Sequence, residues 1–270
     1  MTPFYERLRE AIRSHRSLVC VGLDPDPALM PEVGVLEFNK AIIDATWDLA
    51  CAYKLNLAFY EALGIDGLVS MQKTVEHIAK PVIVIGDGKR ADIGSTSRAY
   101  ARSLFDVSGF DAVTVNPYLG TDSVGPFLEY EDKGVFILCR TSNEGAKDFQ
   151  GLLASPSGQP LFEVVAEKAR LWNTRGNVGL VAGATYPLEL RRIRELCPEM
   201  PLLIPGVGAQ GGDLGAVVKY GVDSRGEGVL INSSRGIIYA SKGKDFATAA
   251  RGAARQLRDE IDSHLARCAP

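Results

Sequence analysis

Eight short apolar runs recur along this chain, and each is followed by a polar turn and then by a segment with helical apolar spacing. The runs are Leu18–Asp24, Cys51–Leu57, Pro81–Gly86, Asp111–Asn116, Gly134–Cys139, Asn177–Gly183, Pro201–Pro205 and Gly228–Asn232. A surface strand alternates apolar and polar residues; these runs barely do, so they read as strands buried on both faces. Helices are expected over 2–16, about 35–50, near 68–79, about 93–107, about 121–131, up to about 174, 187–196, 212–220 and about 244–266. Strand and helix in strict alternation mean a parallel sheet with helices packed outside it. Eight such units plus a leading helix in 270 residues, close to the ~250 typical of the class, predict a (β/α)8 TIM barrel. A doubly wound open sheet alternates in the same way. The barrel is preferred because polar residues follow nearly every strand, as loops around one mouth require. No linker or low-complexity stretch interrupts the pattern, so residues 1–270 are expected to form one catalytic domain.

Composition narrows the chemistry. The net charge is -3 and Lys and Arg form no run, which argues against a nucleic-acid partner. The amino terminus has no apolar leader and no stretch approaches a membrane span, so a cytoplasmic protein is expected. The five cysteines are scattered without a C-x-x-C pair, and three fall in predicted core strands as small apolar residues. His15, His77 and His264 all lie on expected surface helices. Acid–base work must therefore fall to carboxylates and lysines.

One stretch concentrates them. The third run ends in Gly86-Asp87-Gly88-Lys89-Arg90-Ala91-Asp92-Ile93-Gly94-Ser95-Thr96. Strand alternation puts Asp87 and Lys89 on one side, while Asp92, an odd number of positions on, must come from the following loop or helix, or from another subunit. A plainer reading makes Asp92 a helix N-cap and the cluster a rim ion-pair network. Lys54 stands in an otherwise apolar strand and could simply pair with Asp87. Burying such groups without purpose would cost several kcal/mol of desolvation, repaid only by close pairing.

In a barrel, residues just past each strand converge on one mouth: Asp24, Lys54, Asp87 with Lys89, Asn116, Ser142, then Gly206–Gly212 and Asn232–Gly236. The last two segments follow strands seven and eight, where barrels commonly bind phosphate through loop amides. Arg235 can add a bidentate charged contact there.

These residues resemble a known family. Asp87-Gly88-Lys89-Arg90-Ala91-Asp92-Ile93 with Thr96 is similar to the D-x-K-x-x-D-I-x-x-T signature of the orotidine 5′-phosphate decarboxylases. The likeness continues through Gly22-Leu23-Asp24, Lys54, Asn116-Pro117, Pro205-Gly206-Val207-Gly208-Ala209-Gln210 and Arg235. The forms Gly86-Asp87-Gly88-Lys89-Arg90 and Arg140-Thr141-Ser142-Asn143 resemble the longer bacterial branch. The resemblance implies decarboxylation of orotidine 5′-monophosphate to UMP, the last step of pyrimidine synthesis, with no metal and no organic cofactor. It implies Lys89 as the group that stabilises and protonates the C6 carbanion, Asp87 facing the substrate carboxylate, and Lys54 and Asp92 holding Lys89 charged and aimed. Asp24 and Thr96 would bind ribose hydroxyls and Ser142 the pyrimidine edge. Gln210 would bridge base and phosphate, and Arg235 with the loop residues Pro205, Gly208 and Ser234 would hold the phosphate. The family is a homodimer, and the resemblance implies that Asp92 and Thr96 come from the partner subunit. Rival readings are a metal-dependent sugar-phosphate lyase of the same suprafamily, a Schiff-base aldolase using Lys54 or Lys89, and a phosphate-ligand binding barrel without catalysis.

Overall fold

A computed structural model describes residues 2–207 and 211–268. Its strands are β1 (Val19–Leu23), β2 (Ala52–Asn56), β3 (Ile83–Arg90), β4 (Ala112–Val115), β5 (Gly134–Arg140), β6 (Val178–Ala182), β7 (Leu202–Pro205) and β8 (Val229–Ser233). Every neighbouring pair is parallel and β1 pairs with β8, so the sheet closes into a barrel and the open-sheet alternative is ruled out. The strands are buried along nearly their whole length, as their unbroken apolar runs require.

Helix α1 (Phe4–His15) precedes the barrel, and its Phe4 ring packs edge-on against Phe136, 6.1 Å between centroids. A Cβ on Gly134 would lie 2.3 Å from that ring, so the bare glycine at the start of β5 is what admits Phe4. The outer helices are α2 (Val35–Thr46), α4 (Gly64–His77), α5 (Gly94–Arg102), α6 (Thr121–Leu128), α7 (Leu161–Trp172), α8 (Pro187–Leu196), α9 (Leu214–Gly221) and α11 (Phe246–Cys268). Two short helices, α3 (Leu57–Glu61) after β2 and α10 (Arg235–Ile238) after β8, were not expected. Four and five residues are too few to carry a helical period.

Other boundaries also move. The segment expected as one helix over 93–107 is α5 followed by a π-helical turn, Ser103–Val107. Strand β3 does not stop at Gly86 but runs to Arg90 through an irregularity in its pairing with β4. That irregularity builds the site.

Candidate active site

Side chains from the carboxyl ends of the strands line a cavity of about 710 Å³. Its floor is an alternating row of charges. Lys54, in the middle of β2, points inward while its neighbour Tyr53 points out to Thr46 of α2, 2.8 Å away. The Lys54 ammonium donates to Oδ2 of Asp87 at 2.9 Å and lies 3.8 Å from Oδ1 of Asp24, just past β1. The Lys89 ammonium donates to the other oxygen of Asp87, Oδ1, at 2.6 Å. The side chains of Lys54 and Asp87 are only 5% and 9% exposed, whereas that of Lys89 is 48% exposed. Of the two lysines, Lys89 is thus the one a ligand can reach.

Electrostatics fix the charge states. Burial alone would raise the Asp87 carboxyl, but Lys54 and Lys89 outweigh it and hold it well below the usual carboxylate range. Burial likewise pulls Lys54 down, and the carboxylates of Asp24 and Asp87 more than reverse this, leaving it above the usual lysine value.

Asp87 and Lys89 do share a side, as alternation suggested, but a bulge rather than regular pleating brings them together. Gly86 pairs with Val113 and Arg90 with Val115, so three residues of β3 stand against one of β4, Thr114. Within the bulge Lys89 takes a left-handed backbone with φ 46°, uncommon outside glycine, asparagine and aspartate. Its amide donates to the Thr114 hydroxyl at 2.9 Å, and that hydroxyl donates to Oδ1 of Asp87 at 2.8 Å.

Around this floor the walls follow the barrel order. Ser142 lines the cavity on the β5 side with Thr141, Asn143 and Gln150. The Gln150 side chain pins this turn: its Oε1 accepts from the Thr141 amide at 2.8 Å and its Nε2 donates to the Thr141 hydroxyl at 2.8 Å. Pro205, Ser234 and Arg235 line the far wall. Gly206 continues from β7 with φ 97°, a conformation that suits only glycine. Ser234 is the N-cap residue of α10, and its hydroxyl is buried without a protein partner among the described residues. Oδ1 of Asp24 is also buried and accepts no hydrogen bond from the described residues, its nearest cation being the Lys54 ammonium at 3.8 Å. The Ser234 hydroxyl could donate to a phosphorylated ligand and the Asp24 oxygen could accept from a hydroxylated one. Gly208 and Gln210, expected at the phosphate, lie outside the described residues.

Asn116, expected at the mouth, does not line the cavity, and neither do Asp92 and Thr96, which the resemblance assigned to the partner subunit. Asn116 caps the turn after β4, its side chain accepting from the Tyr118 amide at 3.0 Å. Asp92 is not the N-cap of α5, a position held by Ile93; its Oδ1 accepts from the Ile93 amide at 2.8 Å. Thr96 is exposed in the first turn of α5. Sequence reasoning missed Thr114 and Tyr239. A threonine in an apolar run reads as an ordinary strand former. Tyr239 binds the loop after β1 by accepting from the Asp26 amide at 2.6 Å and donating to the Asp24 carbonyl at 2.8 Å, contacts 213 or more positions apart in the chain.

Among the described residues, no group of three or more His, Cys, Asp or Glu side chains is placed to share a metal ion. The converging carboxylates, Asp24 and Asp87, have the Lys54 ammonium between them.

This arrangement has known counterparts. A family model for the Orotidine 5′-phosphate decarboxylase / HUMPS family matches residues 17–250. The chain belongs to this family. It is 53% identical over 267 residues to a Dehalococcoides mccartyi protein named orotidine 5′-phosphate decarboxylase, covering 98% of this chain and 99% of the relative. A Roseiflexus castenholzii protein of the same name is 51% identical over 269 residues, with 97% and 98% covered. The solved structure of Leishmania donovani OMP decarboxylase aligns with a TM-score of 0.86 at 39% identity, covering 98% of this chain and 99% of that one. Asp24, Lys54, Asp87 and Lys89 all fall inside the matched span. No helix of the described residues is long and apolar enough to cross a membrane.

Proposed function

We propose that this protein decarboxylates orotidine 5′-monophosphate to uridine 5′-monophosphate, as a single catalytic domain in the cytoplasm and without metal or organic cofactor. The observation that carries the reading is the Asp24–Lys54–Asp87–Lys89 row at the cavity floor, with only the last ammonium open to a ligand.

The C6–carboxylate bond breaks, CO2 departs, and the electron pair stays on C6. Lys89 meets that developing negative charge with its ammonium and then gives C6 a proton; water restores the proton to Lys89. Preorganised charge of this kind stabilises a transition state more than a ground state. Asp87 faces the substrate carboxylate and, fixed from one side by Lys54, aims the Lys89 ammonium from the other. Asp24 receives a ribose hydroxyl, Ser142 meets the pyrimidine edge, and Pro205, Gly208, Gln210, Ser234 and Arg235 hold the phosphate. Binding energy from the phosphate, remote from C6, contributes to closing the site and lowering the barrier.

The reading includes a homodimer in which Asp92 and Thr96 complete the partner's site. Two observations support it: both residues lie outside their own cavity, and Ile93, between them in sequence, exposes 54% of its surface. Substrate consumption followed by ultraviolet absorbance in excess EDTA tests the activity. Stoichiometric UMP is expected. No turnover in EDTA, and turnover of a sugar phosphate on adding Mg²⁺, would replace this reading with the metal-dependent lyase.

A further inference from the structure

Thr114 occupies a position that no regular sheet would supply. Between the paired residues Gly86–Val113 and Arg90–Val115, β3 holds Asp87, Gly88 and Lys89, and β4 holds Thr114 alone. A bulge leaves backbone groups without ladder partners, and an unpaired buried amide is costly. Here the Lys89 amide donates to the Thr114 hydroxyl at 2.9 Å instead.

The polarity of the next hydrogen bond follows. An amide can only donate, so it uses a lone pair of the hydroxyl oxygen, and the hydroxyl proton is left for an acceptor. That acceptor is Oδ1 of Asp87 at 2.8 Å, the same oxygen that receives the Lys89 ammonium at 2.6 Å. The contacts form a closed ring: Lys89 amide, Thr114 hydroxyl, Asp87 carboxylate, Lys89 ammonium. Thr114 is 1% exposed and fixed at both ends in this ring. A left-handed backbone at a lysine is uphill and persists only where its surroundings hold it. The ring holds both ends of the residue.

We infer that Thr114 is a positioning residue of this site, whose hydroxyl ties the Lys89 backbone to Asp87 and so sets where the Lys89 ammonium points. The inference rests on the proposed decarboxylation, in which that ammonium must reach C6. Thr114 itself need not touch the substrate. Its loss should therefore affect the chemical step more than substrate binding, which uses the phosphate and ribose contacts of the far wall.

The experiment compares wild type, Thr114→Val and Thr114→Ser in orotidine 5′-monophosphate turnover, with thermal melting as the control for folding. Valine keeps the branched shape and removes the hydroxyl; serine keeps the hydroxyl. Thr114→Val should lower kcat about ten- to a hundredfold with KM changed less than about threefold, and Thr114→Ser should recover most of the loss. A wild-type rate in Thr114→Val overturns the inference, as does a serine variant no better than valine, or a loss confined to KM. If Thr114→Val does not fold, Thr114→Ala provides the hydroxyl-free variant, and near-normal kcat in it is equally fatal. Absence of turnover in wild type would remove the decarboxylase reading and this inference with it. Turnover in wild type with an undisturbed Thr114→Val removes the inference alone.

Discussion

Lys54 and Asp87 form a buried ion pair, Nζ to Oδ2 2.9 Å, at the floor of the barrel mouth. Neither residue is reachable by solvent to any useful extent, so each depends on the other to stay charged. Removing one partner leaves the second as a buried charge with half its compensation.

Lys54→Met should accordingly destabilise the fold by about 3–5 kcal/mol, the usual cost of stranding one member of a buried pair. Asp87 would still have Lys89, which places the expectation toward the lower end. Urea unfolding measures it. A variant as stable as wild type would mean the pair serves chemistry alone and contributes nothing to folding.

The pH dependence of stability has a definite sign. Asp111, at the opposite end of the barrel, is held below the usual carboxylate range: burial pushes it up, but Lys80 and Arg7 outweigh this. Asp87 is depressed in the same sense. A carboxylate with a depressed folded value stabilises fully above its unfolded value, about pH 4, and loses that stabilisation as pH falls further. Lys54, raised in the folded state, is the reverse: its contribution is complete below about pH 10.4 and is lost only as pH rises beyond it. The stability difference between wild type and Asp111→Asn should be largest above about pH 5 and shrink toward pH 2. Chemical denaturation across that range decides it; an equal difference at both ends would show that the Asp111 charge is not what Asn removes.

How much of this was legible beforehand depended on the kind of signal. The eight strands could be read because burial on both faces leaves an apolar run such as Val178–Ala182 with nothing to confuse it. Lys54 and Asp87 stood out as charges in such runs. The bulge did not, because alternation already placed Asp87 and Lys89 together and nothing in the residues Gly88 or Thr114 forces two extra positions. The expected mouth position of Asn116 failed for a local reason, since its amide is used on Tyr118. The odd spacing of Asp92 set it apart from the floor residues Asp87 and Lys89. Spacing alone left open whether it serves from the following loop or helix or from another subunit, because strand alternation says nothing beyond the strand.

If Asp92 completes a partner's site, activity can be restored between two dead variants. Lys89→Ala should abolish turnover while leaving UMP binding measurable. Asp92→Ala should also be inactive. Mixing the two under conditions that exchange subunits should recover up to about a quarter of wild-type activity, because half the dimers are hybrids and each hybrid carries one intact site. Demonstrated exchange with no recovery would put both residues in the same site.

Gly22 offers a test of the far wall that replaces no charged residue. It lies in β1 opposite Ser234, and a Cβ built there would stand 2.6 Å from the Ser234 Cβ and 3.2 Å from its Cα. No rotamer relieves contact with a Cα, so Gly22→Ala must push the start of α10 outward, carrying Ser234 and Arg235 with it. Overpacking of this kind costs about 1–3 kcal/mol, which the fold should survive. The phosphate contacts would be displaced while Asp87 and Lys89, on β3 two strands away, stay in place. Gly22→Ala should therefore raise KM for orotidine 5′-monophosphate about tenfold or more and weaken UMP binding in parallel, with a smaller fall in kcat. Calorimetry with UMP and steady-state kinetics read the two quantities separately. Unchanged UMP affinity in a folded Gly22→Ala protein would mean that Ser234 and Arg235 do not hold the phosphate.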